Sequence, residues 1–199
     1  MLDDKKMLVK PLFINILIFM LKSEQIHLTR YLMKNSDSQL SNGTYNSPTY
    51  GSVTLLNLRK YALNFIESAP EYKYRLVIGS DSQTKNGHGV DFVTAIVIHR
   101  IGFGGIYFWK RHLDTKKYVL RSRIYQEAAL SLSCAEEFLN LFKNDGISKY
   151  DVEIHVDIGS FGDTKDMINE VVGMIRSYGF NVKTKPASYG ASKVADRHT

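Results

Sequence analysis

The chain beyond residue 50 predicts an α/β domain: a five-stranded mixed sheet, three strands antiparallel and two joined by crossovers, with helices on both faces. Three observations carry this. Apolar runs bounded by turn residues recur at 74–79, 92–98 and 106–112, with connections short enough for an antiparallel meander. Helical patterns at about 122–142 and 163–178 then alternate with two more strands, as in parallel crossover units. Residues 151–158 alternate strictly, with Val152, Ile154, Val156 and Ile158 on one face and Glu153, His155 and Asp157 on the other.

The domain opens on a helix over residues 54–66. Leu55, Leu58, Ala62, Phe65 and Ile66 recur there at helical spacing, and Pro70 lies past its end. Leu76-Val77-Ile78 follows as a buried strand that breaks into Gly79-Ser80-Asp81-Ser82-Gln83. The segments 85–89 and 101–105 are turns by composition. After the fourth strand, Asp163 or Thr164 caps a helix that Gly179 stops. Residues 180–185 form the fifth strand, ending at Pro186, and a short terminal helix covers about 192–198.

Composition narrows the class. With 44% hydrophobic and 23% charged residues in 199, one ordinary globular domain plus a tail is expected. The net charge of +6 favours an anionic partner, nucleic acid first. The single cysteine, Cys134, excludes an internal disulfide and a cysteine-based zinc cluster, and fits a reducing, cytoplasmic setting. On the apolar face of its helix it is a packed small hydrophobe rather than a nucleophile.

Residues 12–21 are apolar but too few to span a bilayer, which takes about 20. They resemble a signal-peptide core behind Lys5, Lys6 and Lys10, yet no small-x-small cleavage site follows. An interfacial or partner-binding segment is a second reading. A start over-extended upstream of Met33 is the third and the favoured one. Residues 34–50 are polar and turn-rich, so residues 1–50 are expected to be a tail, disordered or outside the core. Neither membrane association nor an obligate protein partner is expected.

The chemistry lies in carboxylates. Asp81 ends a buried strand, where open α/β sheets place their sites. At about 100° per residue, Leu130, Cys134, Phe138 and Leu141 fall within about 60° of Glu127 on the helical wheel. Glu127 thus stands on the core-facing arc, while Glu136 and Glu137 do not. An acid there is costly unless it is paired or holds a cation; the alternative is a partner among Arg121, Arg123 and Lys110. Asp157, followed by Ile158-Gly159-Ser160, mirrors Asp81 on the fourth strand, the alternative being a loop cap. Asp196 lies in the terminal helix among Lys193, Arg197 and His198, where a solvated acid is the alternative. Acids gathered from scattered elements suit Mg²⁺ or Mn²⁺, and two ions about 3.5–4 Å apart assist phosphoryl transfer.

The pieces Ile78-Gly79-Ser80-Asp81-Ser82-Gln83, His155-Val156-Asp157-Ile158-Gly159, Gly162-Asp163-Thr164-Lys165, Lys185-Pro186-Ala187-Ser188-Tyr189 and Ala195-Asp196-Arg197-His198-Thr199 resemble the YkuK-type ribonuclease H-like family. The resemblance covers about residues 52–199. It implies a ribonuclease H-like fold and a metal-dependent nuclease site at Asp81, Glu127, Asp157 and Asp196, holding Mg²⁺ or Mn²⁺, two ions. The implied substrate is nucleic acid, RNA or an RNA–DNA hybrid ahead of duplex DNA. Ser82, Gln83, Lys193 and Arg197 are candidate substrate contacts, with Arg121 and Arg123 as further phosphate holders. Tyr189 or Trp109 is a stacking surface or ordinary packing. A nucleic-acid-binding module without catalysis is the alternative function. A nucleotide-dependent phosphotransferase is less supported, because no Gly-x₄-Gly-Lys-Ser/Thr loop is present. His155 shares the Glu153 and Asp157 face, and a solvent-facing histidine is expected.

Overall fold

The computed structural model describes residues 44–85, 89–142, 152–159 and 165–199. The chain runs β1 (Tyr45–Ser47), β2 (Gly51–Val53), α1 (Leu55–Glu67), β3 (Tyr74–Lys85), β4 (Gly89–Arg100), β5 (Gly105–Asp114), α2 (Leu120–Leu141), β6 (Val152–His155), a 3₁₀ turn (Lys165–Met167), α3 (Ile168–Ser177) and β7 (Asn181–Lys183). A π-helical turn, Gly190–Ala195, and a 3₁₀ turn, Asp196–His198, end it.

The sheet has seven strands in the order β2-β1-β5-β4-β3-β6-β7, where five were expected. The five-strand core is as predicted: β3, β4 and β5 form the antiparallel meander, and β6 and β7 add in parallel. The two additional strands are a three-residue hairpin laid on β5 through Asn46 and Trp109. Strands this short carry no periodicity of their own; the existing sheet edge orders them. Tyr45 is fully buried there. The sheet therefore begins inside residues 1–50, all of which were expected to be tail. Residues 1–43, with the apolar run and Met33, lie outside the described residues.

One face of the sheet carries the main core. Leu76 and Ile78 of β3, Ile96 and Ile98 of β4, Phe108 of β5 and Ile154 of β6 pack there against Leu58 and Ala62 of α1, Ala128 and Leu132 of α2, and Val171 and Ile175 of α3. All three α-helices share this face, and the terminal helical turns lie on the other, so helices flank both faces as expected. What covers the second face is the terminal segment, whose Ala195 and Val194 pack on Val93, Ala95 and Trp109. Thr54 caps α1 through its hydroxyl, and Gly179 follows α3 with φ +86, the left-handed conformation expected of a helix stop. The expected cap at Asp163 or Thr164 lies outside the described residues.

β3 continues past Gly79 to Lys85, because β4 matches it residue for residue as far as Lys85 and Gly89. Asp81 consequently sits within the ladder, opposite Val93, rather than after it. No helix among the described residues is long and apolar enough to cross a membrane.

Candidate metal and phosphoryl-transfer site

Strand register brings the acids together. In the parallel β3–β6 pair, Gly79 stands beside His155. Two residues beyond this last pair come Asp81, still in β3, and Asp157, just past the end of β6. Both point to the face covered by the terminal segment, and that segment carries Asp196. Burial, followed by repulsion from Asp157 and then Asp196, pushes the Asp81 carboxyl up to about 6. The Ser82 backbone N–H and the nearby Thr199 side chain, whose hydroxyl donates to the Asp196 carbonyl oxygen, oppose that rise.

Glu127 approaches from the helical face. It is 8% exposed, as its place on the core-facing arc predicts, and Ser82 Oγ donates to its Oε1 at 2.5 Å. Ser131, one turn along α2, donates to both the Glu127 carbonyl oxygen and Ser80 Oγ, and Ser80 in turn meets Thr94 Oγ1 at 2.8 Å. This buried hydroxyl chain fixes α2 against β3 and β4. Burial pushes Glu127 up to about 8, with Asp81 and Asp157 adding and Ser82 and Arg123 opposing. The alternative partners are mostly engaged elsewhere: Arg121 pairs with Glu170 at 2.5 Å and Lys110 with Glu137 at 3.2 Å.

Asp157 has the most telling surroundings. Its Oδ1 is buried without a hydrogen-bond partner, and its Oδ2 meets Lys185 Nζ at 2.9 Å. A buried acceptor left unpaired is costly, and a cation would relieve it. All four predicted acids supply hard oxygen, and their mutual repulsion favours a positive ion. Among the described residues, however, no three His, Cys, Asp or Glu side chains ring one point. The donor set therefore suits an ion that keeps several waters, as Mg²⁺ does, rather than a closed protein cage.

The expected substrate contacts divide. The Ser82 hydroxyl is committed to Glu127, and exposed Gln83 accepts from Lys85 Nζ at 2.9 Å. Lys193 and Arg197 are exposed on the terminal segment. Trp109 stacks on His198 at 4.3 Å between ring centroids, and Tyr189 meets His155 edge-on at 4.8 Å. These two aromatics pack the terminal segment onto the sheet. His155 is fully buried, correcting the expected solvent-facing histidine. Its Nδ1 accepts from the Gly190 N–H at 3.0 Å, which leaves Nε2–H facing Glu153 Oε2 at 3.2 Å. Arg75 lies on Glu153 at 3.4 Å. A Cβ on Gly190 would fall 2.6 Å from Val77 Cγ1 and 3.2 Å from that Nδ1, so the segment approaches closely only as glycine. Cys134 is buried and its thiol is pushed up to about 11, in keeping with a packing role.

Sequence reasoning missed Lys185, Thr199 and Arg111. Arg111 pairs with buried Asp91 at 3.2 Å and donates to the His198 carbonyl oxygen, tying down the segment that carries Asp196. No local pattern marks any of the three: Lys185 stands beside Gly159, and only its side chain reaches Asp157.

Comparison with known proteins agrees with this geometry. The family profile described as "Ribonuclease H-like" matches residues 58–199. Among curated proteins, the chain is similar to the uncharacterized protein YkuK of Bacillus subtilis (strain 168). The two are 36% identical over 147 residues, covering 68% of this chain and 84% of the relative. No solved structure matches. The family match, the relative and the 3-2-1-4-5 order of the core strands agree: the chain belongs to the ribonuclease H-like family, in its YkuK-type branch.

Proposed function

We propose that the chain is a divalent-metal-dependent phosphodiester hydrolase acting on nucleic acid, with RNA or an RNA–DNA hybrid as the favoured substrate. The observation that supports the reading is electrostatic: Asp157 and Asp196 both act on buried Asp81, and Asp81 and Asp157 both act on buried Glu127. Asp81 and Asp157 would hold Mg²⁺ or Mn²⁺, with Glu127 and Asp196 beside them. When bound, the ion supplies Lewis-acid charge against the phosphoryl oxygens. The other roles belong to the protein. Glu127, kept protonated around neutrality by burial, is placed to hold or release a proton at Oε2 while Ser82 fixes Oε1. The terminal segment carries Lys193 and Arg197 beside Asp196, in keeping with phosphate contact.

Two further observations support an anionic polymer. The net charge is +6. A recess of about 370 Å³ at the β3–β4 end of the sheet is lined by Lys85, Lys116 and Lys117 together with Thr84, Thr115 and Tyr118. Lysines around such a recess attract phosphate without selecting sequence. The alternative, a binding module without catalysis, predicts the same affinity for nucleic acid but no turnover.

The test is a panel of labelled single-strand, duplex, hybrid and junction substrates with Mn²⁺, comparing the wild type with Asp81→Asn. Cleavage lost in the variant, with folding kept, is expected. Equal cleavage by both proteins would sink the site assignment, and binding without cleavage by either would favour the module.

A further inference from the structure

Lys185 is built into the site by the sheet. Beyond the β6–β7 register of His155 with Lys183 the two chains stay hydrogen-bonded but slip by two residues: the Val156 N–H donates to the Lys183 carbonyl at 3.0 Å, and the Lys185 N–H to the Ile158 carbonyl at 2.8 Å. Lys185 therefore stands beside Gly159, two residues past Asp157, and its side chain reaches back to that carboxylate. The lysine stem lies along Gly159, whose Cβ, were there one, would be 3.4 Å from Lys185 Cβ and 3.6 Å from its Cδ. The stem packed along Gly159 directs the half-exposed side chain so that its ammonium falls 2.9 Å from Asp157 Oδ2.

The Asp157 carboxylate is thereby divided. Oδ2 is taken by a resident cation, and buried Oδ1 has no partner. Two divalent ions about 3.5–4 Å apart need ligands on both flanks of a shared site. Here one oxygen of Asp157 is already held by an ammonium, a compact point charge with three donors. Ligands are already sparse, because no three candidate side chains ring one point among the described residues.

We propose that Lys185 takes the place of a second divalent ion beside Asp157, so that the centre holds one ion and one ammonium. The inference rests on the nuclease reading and narrows it, since two ions were expected from the sequence. Lys185 is here a positioning residue: it acts through Asp157, orienting Oδ1 toward the single ion and excluding another.

The experiment is calorimetric titration of the full chain with Mn²⁺, read as ions bound per chain and requiring no turnover. The wild type is expected to bind one ion. Lys185→Gln and Lys185→Met, which remove the charge and keep most of the stem, are expected to bind a second ion or to hold the first at least tenfold more tightly. Lys185→Arg is expected to keep the wild-type stoichiometry. Two variants guard against one failing to fold, which a thermal melt reports. Two ions bound by the wild type would overturn the proposal and leave the nuclease reading standing. Unchanged binding in both charge-removing variants would also overturn it. No Mn²⁺ bound by any of the proteins would overturn the nuclease reading and this inference with it.

Discussion

Replacing Glu127 by glutamine should stabilise the metal-free protein, and by an amount that depends on pH. The carboxyl is lifted from 4.5 to about 8, chiefly by burial. A raised acid contributes stability in full below its unfolded value of 4.5, and that contribution is lost as pH climbs through the folded value of about 8. Each pKa unit corresponds to about 1.4 kcal/mol, so the shift sets a ceiling of about 5 kcal/mol between pH 4.5 and 8. Water entry and local relaxation lower that ceiling. Glutamine cannot ionise, and its Oε1 still accepts from Ser82 Oγ. With about 2–4 °C per kcal/mol for a chain of this size, Glu127→Gln should melt at least about 5 °C above the wild type at pH 8.5. The two should melt within about 2 °C of each other at pH 5. Circular dichroism melts in EDTA across pH 5–9 measure this. A constant difference at all pH values, or a variant less stable at pH 8.5, would refute the claim that Glu127 is a buried acid held above its ordinary range. Added Mn²⁺ should narrow the gap at pH 8.5, because the ion supplies the charge that the glutamate lacks.

Other outcomes follow from the same structure. Mn²⁺ affinity should rise with pH through about 6, because Asp81 must lose its proton to hold the ion; calorimetry at pH 5 and 7 should differ severalfold, and a flat profile would contradict the assignment. His155→Ala should cost about 2–4 kcal/mol, because it orphans the buried Gly190 N–H, leaves Glu153 with Arg75 alone and empties a buried ring site. Limited proteolysis should then cut within the terminal segment, and a wild-type digestion pattern would deny His155 its latching role. Cys134 should resist thiol reagents in the native protein and react on unfolding, since its thiol is buried and pushed up to about 11; stoichiometric native labelling would count against this.

Part of the site is legible in the sequence because its acids break apolar patterns. Asp81 and Asp157 each follow an apolar run, although β4 carries the β3 ladder on past Asp81. Glu127 emerges from angular position on a helix, a property of α2 alone. His155 shows where this stops. Alternation assigns it to the Glu153 and Asp157 face but does not reveal that the terminal segment buries that face. Lys185 is hidden in the same way, since its meaning comes from the reach of its side chain back to Asp157. The β1–β2 hairpin has no signature because each strand is three residues long and takes its conformation from β5.

The parallel β3–β6 pairing has a kinetic consequence. It joins Gly79 to His155 across a long loop, and the opposite face is closed only when residues 190–198 dock. The meander of β3, β4 and β5 is local and forms early; the parallel ladder carries a large loop-closure cost and forms late. The carboxylates therefore remain apart until the final stages of folding. A partly folded chain would present Asp81 and Glu127 without Asp157 or Asp196, so the proposed site is complete only when the fold is.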